Sequence, residues 1–135
     1  MRGKRKRLPE IAVLDSSAVL ALLQKEPGGE RVAALLFGAL LSAVNLSEVH
    51  CKMIQNGFPA PLSWGRIAGL QCDVCPFSDT QARVAAELIR VTRPLGLSFG
   101  DRACLALAVE RQARVYTTDK AWKKLSLGIE IEVIR

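Results

Sequence analysis

Short continuous apolar runs alternate along this chain with longer stretches in which apolar positions recur every three or four residues. Ile11-Ala12-Val13-Leu14 is a run of the kind buried on both faces of a sheet, and it ends at Asp15. Ser16 and Ser17 are placed to cap a helix through Ala18–Leu23, which Glu26-Pro27-Gly28-Gly29 breaks. Arg31–Phe37 reads as a second helix stopped by Gly38, and Leu40–Val44 as a second strand. Asn45 then caps a helix through Leu46, Val49 and Met53, ended by Asn56-Gly57. Beyond a Pro59-Ala60-Pro61 loop comes a modest helix, Leu62–Leu70. Cys72–Phe77 reads as a third strand, and Pro76 within it marks a sheet edge. Ser78-Asp79 caps an amphipathic helix with Ala82, Ala85, Ala86 and Ile89 on its apolar face. A helix begun by Ser98 or Asp101 runs through Leu105, Ala108 and Val109 to a fourth strand, Arg114–Thr117. After a short helix at Ala121–Leu125, Ile129–Ile134 alternates with period two, as a half-exposed edge strand does.

Strands separated by helices imply right-handed crossovers and a mostly parallel sheet with helices on both faces. One such domain is expected over residues 11–135. In it, the carboxyl ends of the strands and the start of the following helices share one edge, where ligands bind. Asp15 follows the first strand, Glu48 is expected in the first turn after the second, Asp101 opens the helix before the fourth, and Asp119 follows the fourth. Each alone is an ordinary helix-terminus acid, favoured there by roughly 0.3–1 kcal/mol. Asp79 stands in an equally good local position. Together, however, carboxylates ~4 Å apart repel by about 4 kcal/mol at an effective dielectric of roughly 20. An acid cluster of that kind calls for a cation, and oxygen donors without histidine favour Mg²⁺ or Mn²⁺ and phosphoryl chemistry.

Composition narrows the picture. Half the chain is hydrophobic but only 5% aromatic, so the core is aliphatic. No apolar run reaches the ~20 residues of a membrane span, and no apolar segment or cleavage site of a signal peptide follows the basic N-terminus, so a cytoplasmic protein is expected. The net charge of +6 looks like a nucleic-acid signal. Five of its 19 basic residues, Arg2, Lys4, Arg5, Lys6 and Arg7, lie in residues 1–10, which read as a flexible arm; 14 basic residues then face 13 acidic ones. Cys51, Cys72, Cys75 and Cys104 read as reduced, buried small hydrophobes, because a strand turns residues 72 and 75 to opposite faces.

Four segments carry a family resemblance: Leu14-Asp15-Ser16-Ser17-Ala18, Ala43-Val44-Asn45-Leu46-Ser47-Glu48-Val49, the run Leu97-Ser98-Phe99-Gly100-Asp101-Arg102-Ala103-Cys104-Leu105-Ala106-Leu107-Ala108, and Thr117-Thr118-Asp119-Lys120-Ala121-Trp122. In this order they resemble PIN-domain ribonucleases, most of all the VapC-type toxins of toxin–antitoxin pairs. The resemblance implies a three-layer α/β/α sandwich around a five-stranded sheet, with strand three at an edge and Asp79 away from the centre as a helix cap. It implies Mg²⁺-dependent endonucleolytic cleavage of RNA, a small antitoxin as partner, and a homodimer. Asp15, Glu48, Asp101 and Asp119 match the family's acidic quartet, with Asp15 and Asp101 as the foremost metal ligands. Ser17 and Thr117 match hydroxyl positions that would orient the ligands by hydrogen bonds. Arg102, Lys120, Lys123 and Arg93 stand near the expected edge as candidates for gripping RNA.

Two phosphoryl-transfer folds of similar layout fit less well. A haloacid-dehalogenase-like phosphatase needs a second Asp two residues after the first, where Ser17 stands. A receiver domain needs an acidic pair near strand one, and Asp15 has no acidic neighbour. The alternative of another class is a non-catalytic PIN-like module that binds RNA or a partner, against which the intact acids argue.

Overall fold

The computed structural model describes residues 10–135, so the basic arm falls almost wholly outside the described residues. Five parallel strands form one sheet in the order β3-β2-β1-β4-β5, with β1 at Ala12–Leu14, β2 at Leu40–Ser42, β3 at Asp73–Cys75, β4 at Arg114–Thr117 and β5 at Ile131–Val133. The strand alternation of period two divides the core. Ala12, Leu14 and Leu41 pack on one face with Ala18, Val19, Val49 and Met53, from helices α1 (Ser16–Leu23) and α3 (Ala43–Gln55). Val13, Leu40 and Val115 pack on the other with Cys104, Leu105, Leu107 and Ala108, from the helix Phe99–Arg111. This is the expected α/β/α sandwich, and β3 and β5 are its edges. Among the described residues, no helix is long and apolar enough to cross a membrane.

The local readings need several corrections. The cap of α1 is Asp15 itself, whose Oδ1 accepts from the Ala18 amide at 2.8 Å. The second helix, α2, is only Gly29–Ala33, and the chain then turns, leaving Phe37 fully exposed. α3 starts at Ala43, because Ser42 ends the strand and its hydroxyl accepts from the Val44 amide. Asn45 is thus inside the helix, and Glu48 lies in its second turn rather than its first. Cys51 is exposed, Cys72 and Cys75 are half-buried, and only Cys104 is fully buried; all four are free thiols.

Helices α4 (Ala60–Ala68), α5 (Asp79–Glu87), α6 (Ile89–Thr92) and α7 (Phe99–Arg111) complete the set. The direction of α5 bears on the position of Asp79, its first residue, which follows the Ser78 cap. Gln81 in its first turn donates to Glu110 in the last turn of α7 at 2.9 Å, so α5 and α7 pack antiparallel. Asp101 and Glu110 are separated by about 14 Å of helix axis. Asp79, exposed and bonded to the Thr80 amide, lies at the far end from Asp101.

Candidate active site

Asp15 is the fixed point of the carboxyl edge. The backbone amide of Asp15 donates to the Tyr116 carbonyl at 3.1 Å, which ties the end of β1 to β4. Only 3% of Asp15 is exposed. Its Oδ1 accepts from Ser17 Oγ at 2.7 Å as well as from the Ala18 amide, and its Oδ2 accepts from Thr117 Oγ1 at 2.6 Å. Burial pushes its pKa up to about 6; the bonds from Thr117, Ser17 and Ala18 oppose that rise, and the charge of Asp101 adds to it. The two hydroxyls also carry the network to the last acid. Thr117 Oγ1 accepts from the Asp119 amide at 3.1 Å, and Ser17 Oγ from the Thr118 amide at 2.9 Å. Ser17 and Thr117 thus each donate a hydrogen bond to the Asp15 carboxylate.

Glu48 is held differently. Its Oε1 accepts from Ser16 Oγ at 2.5 Å and from Asn45 Nδ2 at 2.9 Å. Asn45, 1% exposed, also donates to the Gly100 carbonyl at 3.0 Å, which fastens α3 to the start of α7. Gly100 permits this approach, since a Cβ there would collide with the Glu48 carboxylate. Ser16 and Asn45 were missed as site residues. Asn45 was legible in principle, because residues three apart share a helix face.

Asp101 forms a capping box with Ser98: the Ser98 amide donates to Oδ2 at 2.8 Å, and Ser98 Oγ accepts from the Asp101 amide at 3.2 Å. Burial raises its pKa, the two Ser98 bonds oppose the shift, and the charges of Glu48 and Asp119 raise it further. Asp119 is exposed and caps the 3-10 turn Lys120–Lys124, accepting from the Ala121 amide at 3.0 Å. The buried Cys104 thiol, raised chiefly by burial, also feels Asp15, Asp101 and Glu48. All four acids thus share one electrostatic neighbourhood.

Among the described residues, no three His, Cys, Asp or Glu side chains close to the spacing of a preformed metal site. The donor chemistry nevertheless fits a hard cation. A carboxylate offers about four lone-pair sites. Asp15 accepts three bonds and keeps one open. Glu48, Asp101 and Asp119 are each anchored through one oxygen, the other having no hydrogen-bond partner among the described residues. Beside Glu48 a groove of about 440 Å³ is lined by Ser16, Leu20, Ser47, Cys51, Lys52 and Gln55. Of the cationic candidates, Lys120 and Lys123 are exposed next to Asp119, and Arg93 is exposed on the 3-10 turn before α7. Arg102 is half-buried, its guanidinium carbon 5.8 Å from the centre of the Phe99 ring.

A family model described as PIN domain matches residues 12–127. Solved structures share the fold. The crystal structure of VapBC2 from Rickettsia felis, bound to a DNA fragment from its promoter, matches with a TM-score of 0.70 at 15% identity, over 90% of this chain and 97% of the other. A toxin–antitoxin complex from Klebsiella pneumoniae gives 0.68 at 15% identity, over 92% and 98%. A member of the VapBC family of toxin–antitoxin systems from Mycobacterium tuberculosis gives 0.57 at 22% identity, over 94% and 99%. At these identities the likeness establishes the fold. No curated protein sequence matches the chain.

Proposed function

The chain belongs to the PIN domain family, and from that premise we propose that it is a metal-dependent endoribonuclease, the toxin component of a VapC-type toxin–antitoxin pair. The observation that carries this reading is the set of four carboxylates at the carboxyl edge, anchored by hydroxyl and amide donors and not by any lysine or arginine among the described residues.

In the proposed reaction a Mg²⁺ or Mn²⁺ ion would be held by Asp15 and Asp101, with Glu48 and Asp119 completing the donor set. When bound, the ion supplies charge neutralisation at the scissile phosphate and acidifies water. The protein's own groups do the rest. Ser17 and Thr117 fix the rotamer of Asp15 and lower the cost of its ionisation. Ser16 and Asn45 turn Glu48 so that Oε2 faces no donor among the described residues, leaving it free to take a proton from the attacking water. Lys120, Lys123, Arg93 and Arg102 supply positive charge for the RNA backbone. A small antitoxin that packs near the acidic edge would hold the enzyme inactive, in a homodimeric, cytoplasmic complex; that structural neighbours are toxin–antitoxin complexes supports the antitoxin as partner.

The test is to incubate the purified chain with structured RNA, with and without Mg²⁺, beside Asp101→Asn. Cleavage that needs Mg²⁺ and is lost in the variant is expected. Equal cleavage by both proteins, or RNA binding with no cleavage at any Mg²⁺ concentration, would overturn the nuclease assignment, and the second result would favour a non-catalytic RNA-binding module.

A further inference from the structure

Beside the acid cluster, the first turn of α7 carries an aromatic ring that the core does not use. Phe99 is the first residue of α7, one position before Gly100, which packs on Glu48, and two before Asp101. Half of its surface remains exposed, although the chain holds only four phenylalanines. The ring is nonetheless held in place. Phe77 meets it edge-on, with centroids 5.6 Å apart and planes at 90°, and the guanidinium of Arg102, one helical turn on, lies over it.

Arg102 has no countercharge among the described residues. Its Nε is buried without a hydrogen-bond partner, and its guanidinium enters none of the ion pairs among the described residues. An arginine with an unpartnered buried nitrogen, stacked on a half-exposed ring beside a phosphoryl-transfer edge, has the composition of a nucleotide subsite. The ring offers a π surface to a base, and the guanidinium offers charge to the adjoining phosphate.

We propose that Phe99 and Arg102, braced by Phe77, form a subsite that stacks one unpaired nucleobase next to the bond being cut. This rests on the nuclease reading and adds to it the residues that select the substrate. A base inside an A-form helix is already stacked on its neighbours and cannot reach the ring, so the subsite selects an unpaired nucleotide flanking the cleavage point. Stacking on an aromatic side chain accepts every base, so Phe99 sets strandedness and register and leaves base identity to other contacts.

The experiment measures binding in EDTA, where no cleavage occurs. A short fluorescent single-stranded RNA that the protein cleaves in Mg²⁺ is compared with copies in which one base at a time is replaced by an abasic site. The expected result is a single position at which the missing base weakens binding by roughly five- to fiftyfold, and no such position for Phe99→Ala. Phe99→Trp should retain the sensitivity, whereas Phe99→Leu, which keeps an apolar side chain and guards against a folding artefact, should lose it. Arg102→Ala should weaken binding of intact and abasic RNA alike and lower the salt dependence. Intact Mg²⁺-dependent cleavage with equal affinity for all abasic copies would overturn the subsite and leave the nuclease reading standing. Absence of both binding and cleavage would overturn both. A change of oligomeric state in Phe99→Ala, with RNA binding unaltered, would assign the ring to a protein interface and overturn the subsite.

Discussion

At the amino ends of the strands, Arg114 pairs with Glu10 at 3.3 Å and also with Glu130, so the acids that precede β1 and β5 are neutralised within the chain. At the carboxyl ends, Asp15, Glu48, Asp101 and Asp119 enter none of the ion pairs among the described residues. Their partners are Ser16, Ser17, Asn45, Thr117 and backbone amides, which orient a carboxylate without cancelling its charge. The first edge is complete as it stands. The second keeps its carboxylates without a cationic partner among the described residues, and burial raises the pKa values of Asp15 and Asp101 there.

The strongest way to break the contrast is to remove an acid. Asp15→Asn or Asp101→Asn should lower Mg²⁺-dependent RNA cleavage by about a hundredfold or more, read as single-turnover rates. The same change should have an opposite effect on stability. Asp15 has a folded pKa of about 6 against an ordinary value of 3.8, so its ionised form is disfavoured in the folded state. Its contribution is therefore most favourable below pH 3.8, declines as pH rises toward about 6, and stays low above that. By linkage the difference is about 3 kcal/mol at neutral pH. Asp15→Asn should then be more stable than the parent in EDTA at pH 7, by about 1–3 kcal/mol in urea unfolding, with the gain vanishing near pH 4. A variant destabilised at pH 7 would show that the site is structurally self-sufficient.

Thr117→Val removes the 2.6 Å bond to Asp15 and leaves the Asp119 amide without its acceptor. A loss of about 1–2 kcal/mol and roughly tenfold in cleavage is expected, together with an upward shift in the pH at which cleavage begins. The smallest effect belongs to the other edge. Arg114→Gln should change stability by less than about 1 kcal/mol, since Glu10 and Glu130 are well exposed, and should leave cleavage unchanged.

The layers, and the placing of the four candidate acids on one edge, were legible because they depend on short-range pattern and chain direction. Apolar runs such as Val13-Leu14 mark buried strands, and chain direction places whatever follows them on one edge. What was not legible depends on side chains meeting across the fold. Ser42 sits in an apolar run and reads as strand, yet its hydroxyl starts α3 three residues before the expected cap, Asn45, and moves Glu48 to the second turn. Asn45 has the composition of a cap, but its neighbours across the fold, Glu48 and Gly100, make it a buried crosslink. Asp79 could not be told from a site acid by periodicity, because the antiparallel packing of α5 on α7 is fixed by contacts such as Gln81 with Glu110, 29 residues apart.

The central claim is that the carboxyl edge awaits a cation, and calorimetric titration of Mn²⁺ into the purified chain at pH 7.5 and at pH 5 tests it most directly. Saturable binding at pH 7.5, weaker at pH 5 where Asp15 is largely protonated, and lost in Asp15→Asn, is the predicted result. Binding of equal strength in the parent and in Asp15→Asn, or no binding at pH 7.5, would contradict it.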